Sequence, residues 1–128
     1  MPVKDIDQTE FDKAIETSKN KLVVVEFYTK TCPNCAAMVP IYQEVAGGLQ
    51  KDAEFYKIDA NVNQELSMRF GIMGVPAFKF FCNGVEVAGI VGATNSTALA
   101  NTVKDLVKHG TQCISKSTII RYEMDGYG

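Results

Sequence analysis

The sequence predicts an α/β fold in which helices cover both faces of a mixed β-sheet. Three observations carry that expectation. Helical and strand patterns alternate over residues 1–109, in the order helix and then β-α-β-α-β-β-α. The run Lys21-Leu22-Val23-Val24-Val25-Glu26-Phe27-Tyr28 is β-branched and apolar on both faces, as a central strand covered on each side would be. Asn83-Gly84 between two strand-like runs is a hairpin signal, which sets one antiparallel pair beside parallel crossovers. Size and composition agree: 128 residues, 46% hydrophobic and 22% charged, suit one globular core and neither two domains nor a disordered chain.

Each element has a local justification. Asp7 and Glu10 form a capping-box pair at the start of a first helix, whose inward face is Phe11, Ala14, Ile15 and Ser18. The central strand at 21–28 follows. Residues 36–50 have helical propensity but contain Pro40, which predicts a kink, and Gly47-Gly48, which predicts a loose end. A second strand covers 54–59, and a short helix at 63–70 stops at Gly71. Strands at 77–81 and 85–91 are joined by Cys82-Asn83-Gly84. The last helix, 96–108, has Asn95 or Ser96 as cap, Leu99, Val103, Leu106 and Val107 facing inward, and Gly110 as stop. The domain is expected to span 1–109, with 110–128 a C-terminal extension that is either a short docking strand or a flexible tail.

Charge and hydropathy exclude several roles. A net charge of -2 with pI ≈ 5.4 excludes a basic nucleic-acid surface. No apolar run approaches the ~18 residues of a membrane span. The first seven residues lack the charged-then-apolar pattern of a signal peptide, so a soluble cytoplasmic protein is expected. On that expectation Asn95-Ser96-Thr97 is a helix cap and not a glycosylation site.

The cysteines carry the chemistry. They stand at 32, 35, 82 and 113. Cys32 and Cys35 form a Cys-x-x-Cys, and no second close pair completes a four-cysteine zinc site, so the pattern points to redox chemistry before metal. Cys32 falls where a buried strand ends and a helix begins. Unpaired N–H groups and the helix dipole favour an anion there, and such thiols titrate at roughly 3.5–7.5 instead of ~8.5. Cys35, one turn in, is less accessible yet close enough to bridge. Cys32 is therefore the expected nucleophile and Cys35 the resolving thiol. Pro33 suits the first helical turn and stiffens the loop between the sulfurs. Cys82 reads as a small packing residue, Cys113 as a tail cysteine, and His109 as a structural residue near a helix C-terminus.

Residues 1–109 resemble the thioredoxin family, through Cys32-Pro33-Asn34-Cys35, Pro40, Gly74-Val75-Pro76, Asn83-Gly84 and Val91-Gly92-Ala93. The resemblance implies a sheet of about five strands flanked by four helices. It implies a cis Pro76 packed against the disulfide, a Val75 backbone that pairs with an extended substrate, and a groove kept shallow by Gly92 and Ala93. Thr31, Pro33 and Asn34 would border the same groove. Glu26 stands where the family has a buried aspartate that exchanges a proton with the inner cysteine, and Lys57 matches the lysine near that acid. The chain departs from the family pattern at Thr31 and at Pro33-Asn34. It departs again at Tyr28, which replaces a common Trp, and it has no Trp at all.

By resemblance the chain is a protein disulfide reductase and electron carrier. It would act as a monomer, without metal or cofactor beyond the redox-active Cys32–Cys35 pair. Its partners would be disulfide-bearing proteins and a thioredoxin reductase that draws on NADPH or ferredoxin. Two alternatives stand beside it: a binding module whose cysteines, with Cys113, hold a metal, and an exchanger that oxidises or isomerises.

Overall fold

The computed structural model describes residues 3–18 and 21–108. His109 and the expected extension 110–128, with Cys113, lie outside them. Among the described residues the chain forms β1 (Val3–Asp5), α1 (Gln8–Thr17), β2 (Leu22–Tyr28), α2 (Pro33–Leu49) and β3 (Ala53–Asp59). It continues with α3 (Gln64–Arg69), β4 (Ala77–Cys82), β5 (Val85–Val91) and α4 (Ser96–Lys108). The sheet order is β1-β3-β2-β4-β5. Both neighbours on the β1 side pair in parallel, and β2-β4 and β4-β5 are antiparallel. None of the described helices is long and apolar enough to cross a membrane.

The side chains of β2 explain the layering. Leu22 and Val24 point to a core built with Met38, Tyr42 and Val45 of α2 and Leu99 and Val103 of α4. Val23, Val25 and Phe27 point to the opposite core, with Phe11 of α1 and Leu66 of α3. Strand residues alternate faces, so a strand that is apolar at every position serves two cores. By the same alternation Glu26 lies on the α2 side, in a position that pattern reserves for an apolar residue.

Three details differ from the sequence expectation. β1 went unread because it is three residues long and buries Val3 alone, too short for period-two alternation to register. α2 begins at Pro33, as its place in the first turn predicts, but runs through Gly47-Gly48 to Leu49 without the expected loose end. Buried Val45 and Ala46, with Leu49 packed on the same core, hold that end in place against the weak propensity of glycine. Cys82 belongs to β4 and pairs with Val85, so the hairpin turn is Asn83-Gly84 alone. Both turn residues have positive φ, 53° and 80°, the conformation a two-residue turn of this kind requires. At α4 the cap is Asn95, whose Oδ1 accepts from the Ala98 N–H at 2.7 Å. The Asp7–Glu10 capping box is present as expected.

Candidate functional site

The site starts from the cap of α2. β2 ends at Tyr28, and Thr29 to Thr31 turn the chain so that Cys32 becomes the N-cap, in extended conformation, with Pro33 opening the helix. Serine, threonine and aspartate cap helices with oxygen; here the cap atom is sulfur. Cys32 Sγ accepts from the Cys35 N–H at 3.1 Å. Cys32 is partly exposed, Cys35 is buried, and both are free thiols.

The two sulfurs are unequal. The Cys35 thiol donates to Cys32, and the backbone N–H groups of Cys35 and Asn34 add to it, so the Cys32 thiol is held below its usual pKa. Burial works against this but does not prevail. Cys35 goes the other way. Burial first, and then the bond it gives to Cys32, push it up to about 12. One thiol is made ready as a nucleophile and the other is kept protonated.

Behind the sulfurs lies Glu26, 3% exposed, with Oε2 lacking any hydrogen-bond partner among the described residues. Burial raises its pKa to about 7, and the positive charge of Lys57 only partly offsets the rise. Lys57 is the register neighbour of Glu26 on β3. A cavity of about 210 Å³ joins these groups, with Glu26, Lys57, Tyr28, Lys30, Cys32 and Cys35 in its wall. A wider cleft of about 350 Å³ lies between α2 and α4, but its lining includes no thiol, so volume does not mark the site.

Two further segments meet Cys32. The Val75–Pro76 bond is cis. The Val75 carbonyl lies 3.7 Å from Cys32 Sγ, within reach as an acceptor. The Gly92 N–H donates to the Pro76 carbonyl at 2.7 Å, and Gly92 has φ of 96°, which only glycine adopts freely. Segments 73–76 and 91–93 are thereby set side by side. Ala93 is exposed, as are Thr31, Pro33 and Asn34 around Cys32, while Pro76 is buried. The structure thus gathers Cys32, Cys35, Glu26 and Lys57 around one cavity. It sets Val75, Pro76, Gly92 and Ala93 on the rim beside it.

Sequence reasoning missed three contributors. Met73 and Val91 are 96% and 76% exposed, large apolar groups left facing solvent on the two segments that meet through the Gly92–Pro76 bond. Val91 pairs with Ala77, and one of its methyls lies 4.0 Å from the Cβ position of Gly74, the residue after Met73. Only the pairing of β4 with β5 reveals this. Tyr28 is the third. Its hydroxyl donates to Asp5 Oδ2 at 2.6 Å, and its ring centroid lies 5.2 Å from Lys57 Nζ. The available signal was its spacing of two from Glu26, which puts both on one face. Among the described residues no cluster of three or more His, Cys, Asp or Glu could hold a metal ion.

Comparison with known proteins agrees with this geometry. The family described as Thioredoxin matches residues 2–105. Thioredoxin H4 of Arabidopsis thaliana is 34% identical over 100 residues, covering 78% of this chain and 82% of that protein. A bifunctional thioredoxin reductase/thioredoxin of Mycobacterium leprae is 31% identical over 90 residues, 70% of this chain and 20% of the longer protein. Among solved structures, a thioredoxin of Plasmodium falciparum superposes with a TM-score of 0.72 at 31% identity, covering 80% of this chain and 97% of that one.

Proposed function

The chain belongs to the thioredoxin family, and from that premise we infer that it is a thiol–disulfide oxidoreductase that reduces protein disulfides through Cys32 and Cys35. The observation that carries the reading is the asymmetry of the two thiols, one capping a helix and partly exposed, the other buried behind it. Cys32 attacks a substrate disulfide as thiolate. One substrate sulfur leaves and takes up a proton, and the other stays bound to Cys32 as a mixed disulfide.

The second step needs Cys35 to lose its proton. In the mixed disulfide Cys32 carries no charge and no longer receives the Cys35 bond, so two of the causes that raise Cys35 are gone. Glu26, titrating at about 7, is a carboxylate placed to accept that proton through the shared cavity. Cys35 then attacks Cys32 Sγ, the second substrate thiolate leaves, and the Cys32–Cys35 disulfide holds the two electrons' worth of oxidation. Lys57 favours the ionised form of Glu26. Thr31, Pro33, Asn34, Val75, Pro76, Gly92 and Ala93 border the surface an extended substrate would lie on, with the Val75 carbonyl beside the reacting sulfur.

A separate reductase would return the pair to dithiol, drawing on NADPH or ferredoxin. The fusion of the two activities in the name of the Mycobacterium leprae relative supports a partner of that class. No prosthetic group enters this chemistry. A reducing, cytoplasmic setting and a monomeric electron carrier complete the proposal. No observation favours the metal-holding alternative, whose further cysteine, Cys113, lies outside the described residues, or an oxidising role.

Insulin reduction by dithiothreitol tests the reading. Cys32→Ser is expected to abolish catalysis, and Cys35→Ser to accumulate a mixed disulfide visible by mass spectrometry. An active Cys32→Ser protein overturns it.

A further inference from the structure

The face of the sheet that carries Glu26 also carries a row of charges. The β-register sets Asp5 beside Lys57 and Lys57 beside Glu26, so β1, β3 and β2 present a carboxylate, an ammonium and a second carboxylate in line. Lys57 stands between two acids that could each claim it. The three ion pairs found among the described residues leave Lys57 out. Tyr28 accounts for this. It lies two residues past Glu26 on the same strand face, gives its hydroxyl to Asp5 and turns its ring to the Lys57 ammonium.

We propose that Tyr28 is a positioning residue of the proton-transfer site: by binding Asp5 through its hydroxyl and Lys57 through its ring, it keeps the Lys57 charge turned to the cavity that Glu26 lines. A neutral ring holds an ammonium without neutralising it, so the charge remains available to Glu26. Without the hydroxyl, Asp5 is released to close an ion pair with Lys57 and draw it outward. This rests on the role given to Glu26 above.

The other groups facing Glu26 are known. Cys35 and Tyr42 approach from α2, and Cys32 from its cap. β4 places Phe78, which does not titrate, opposite Glu26. Lys30 lies in the cavity wall, and Asp59 bears on Tyr28.

The test is a pH titration of the Glu26 carboxyl carbon by NMR in the reduced, full-length protein labelled with ¹³C-glutamate. Tyr28→Phe is expected to move the midpoint upward by about half a pH unit, since a partly screened unit charge moved by a few ångströms changes a pKa by that order. Asp5→Asn alone removes the competitor and gives no upward shift. Tyr28→Phe combined with Asp5→Asn is expected to return the midpoint to the wild-type value. An unmoved midpoint in Tyr28→Phe overturns the proposal. So does a double variant that keeps the full shift, because the ring's packing and not the competition for Lys57 would then be the cause. The titration requires no turnover. Failure of wild-type protein to reduce insulin would instead count against the assigned function.

Discussion

Glu26 stands at a position where each of its β2 neighbours from Leu22 to Phe27 is apolar and buried. Its carboxyl group titrates at about 7 in the folded chain, against 4.5 for the free side chain. Folding therefore tightens proton binding, so the group favours the folded state below pH 4.5 and that contribution is lost as the pH rises through 7. A displacement of this size corresponds to about 3 kcal/mol. Glu26→Gln should raise the unfolding free energy at pH 8 by up to about 3 kcal/mol and leave it nearly unchanged at pH 4. Urea unfolding at the two pH values measures both. The same substitution should slow resolution of the mixed disulfide by about 100-fold at pH 7, the low end of general-base contributions. A stabilised variant that is slower in catalysis would mark Glu26 as retained for chemistry.

At the scale of the element, α2 shows how packing overrides propensity. Gly47 and Gly48 lie inside the helix, neither has a positive φ, and a Cβ at either would meet nothing within 4 Å. Gly47→Ala and Gly48→Ala should each stabilise the protein by about 0.5–1 kcal/mol, read as a higher urea midpoint with unchanged slope. The start of α2 was legible in the sequence because a strand signal, a proline and two cysteines three apart are all local cues. Its end was not. Two glycines argue locally for fraying, and only the cores reached by Val45, Ala46 and Leu49 decide otherwise. β1 was illegible for the opposite reason: three residues carry too little pattern, and the pairing with β3 makes them a strand.

For the whole molecule, the two cores on either side of β2 hold the site's parts in register. Leu99 on α4 is fully buried in the core on the α2 side. Leu99→Ala should cost about 2–5 kcal/mol of stability, as large-to-small changes in cores do. The reactivity of Cys32 toward iodoacetamide in the folded protein should stay the same, since the capping bond from Cys35 does not involve α4. Denaturant curves and alkylation rates check the two expectations. Loss of both together would mean that α4 helps to hold the cap.

What the chain determined by itself is the local chemistry. Cys32 and Cys35 at a strand-to-helix junction, an acid inside an apolar strand, and a glycine turn between two strands are properties of neighbouring residues, read from periodicity and backbone preference. The tertiary structure alone decided which distant groups meet. The setting of 73–76 against 91–93 depends on β4 pairing with β5, and the Asp5–Tyr28–Lys57 arrangement depends on β1 and β2 both pairing with β3. Register is a cooperative outcome of many contacts far apart in sequence, and no single stretch of residues encodes it.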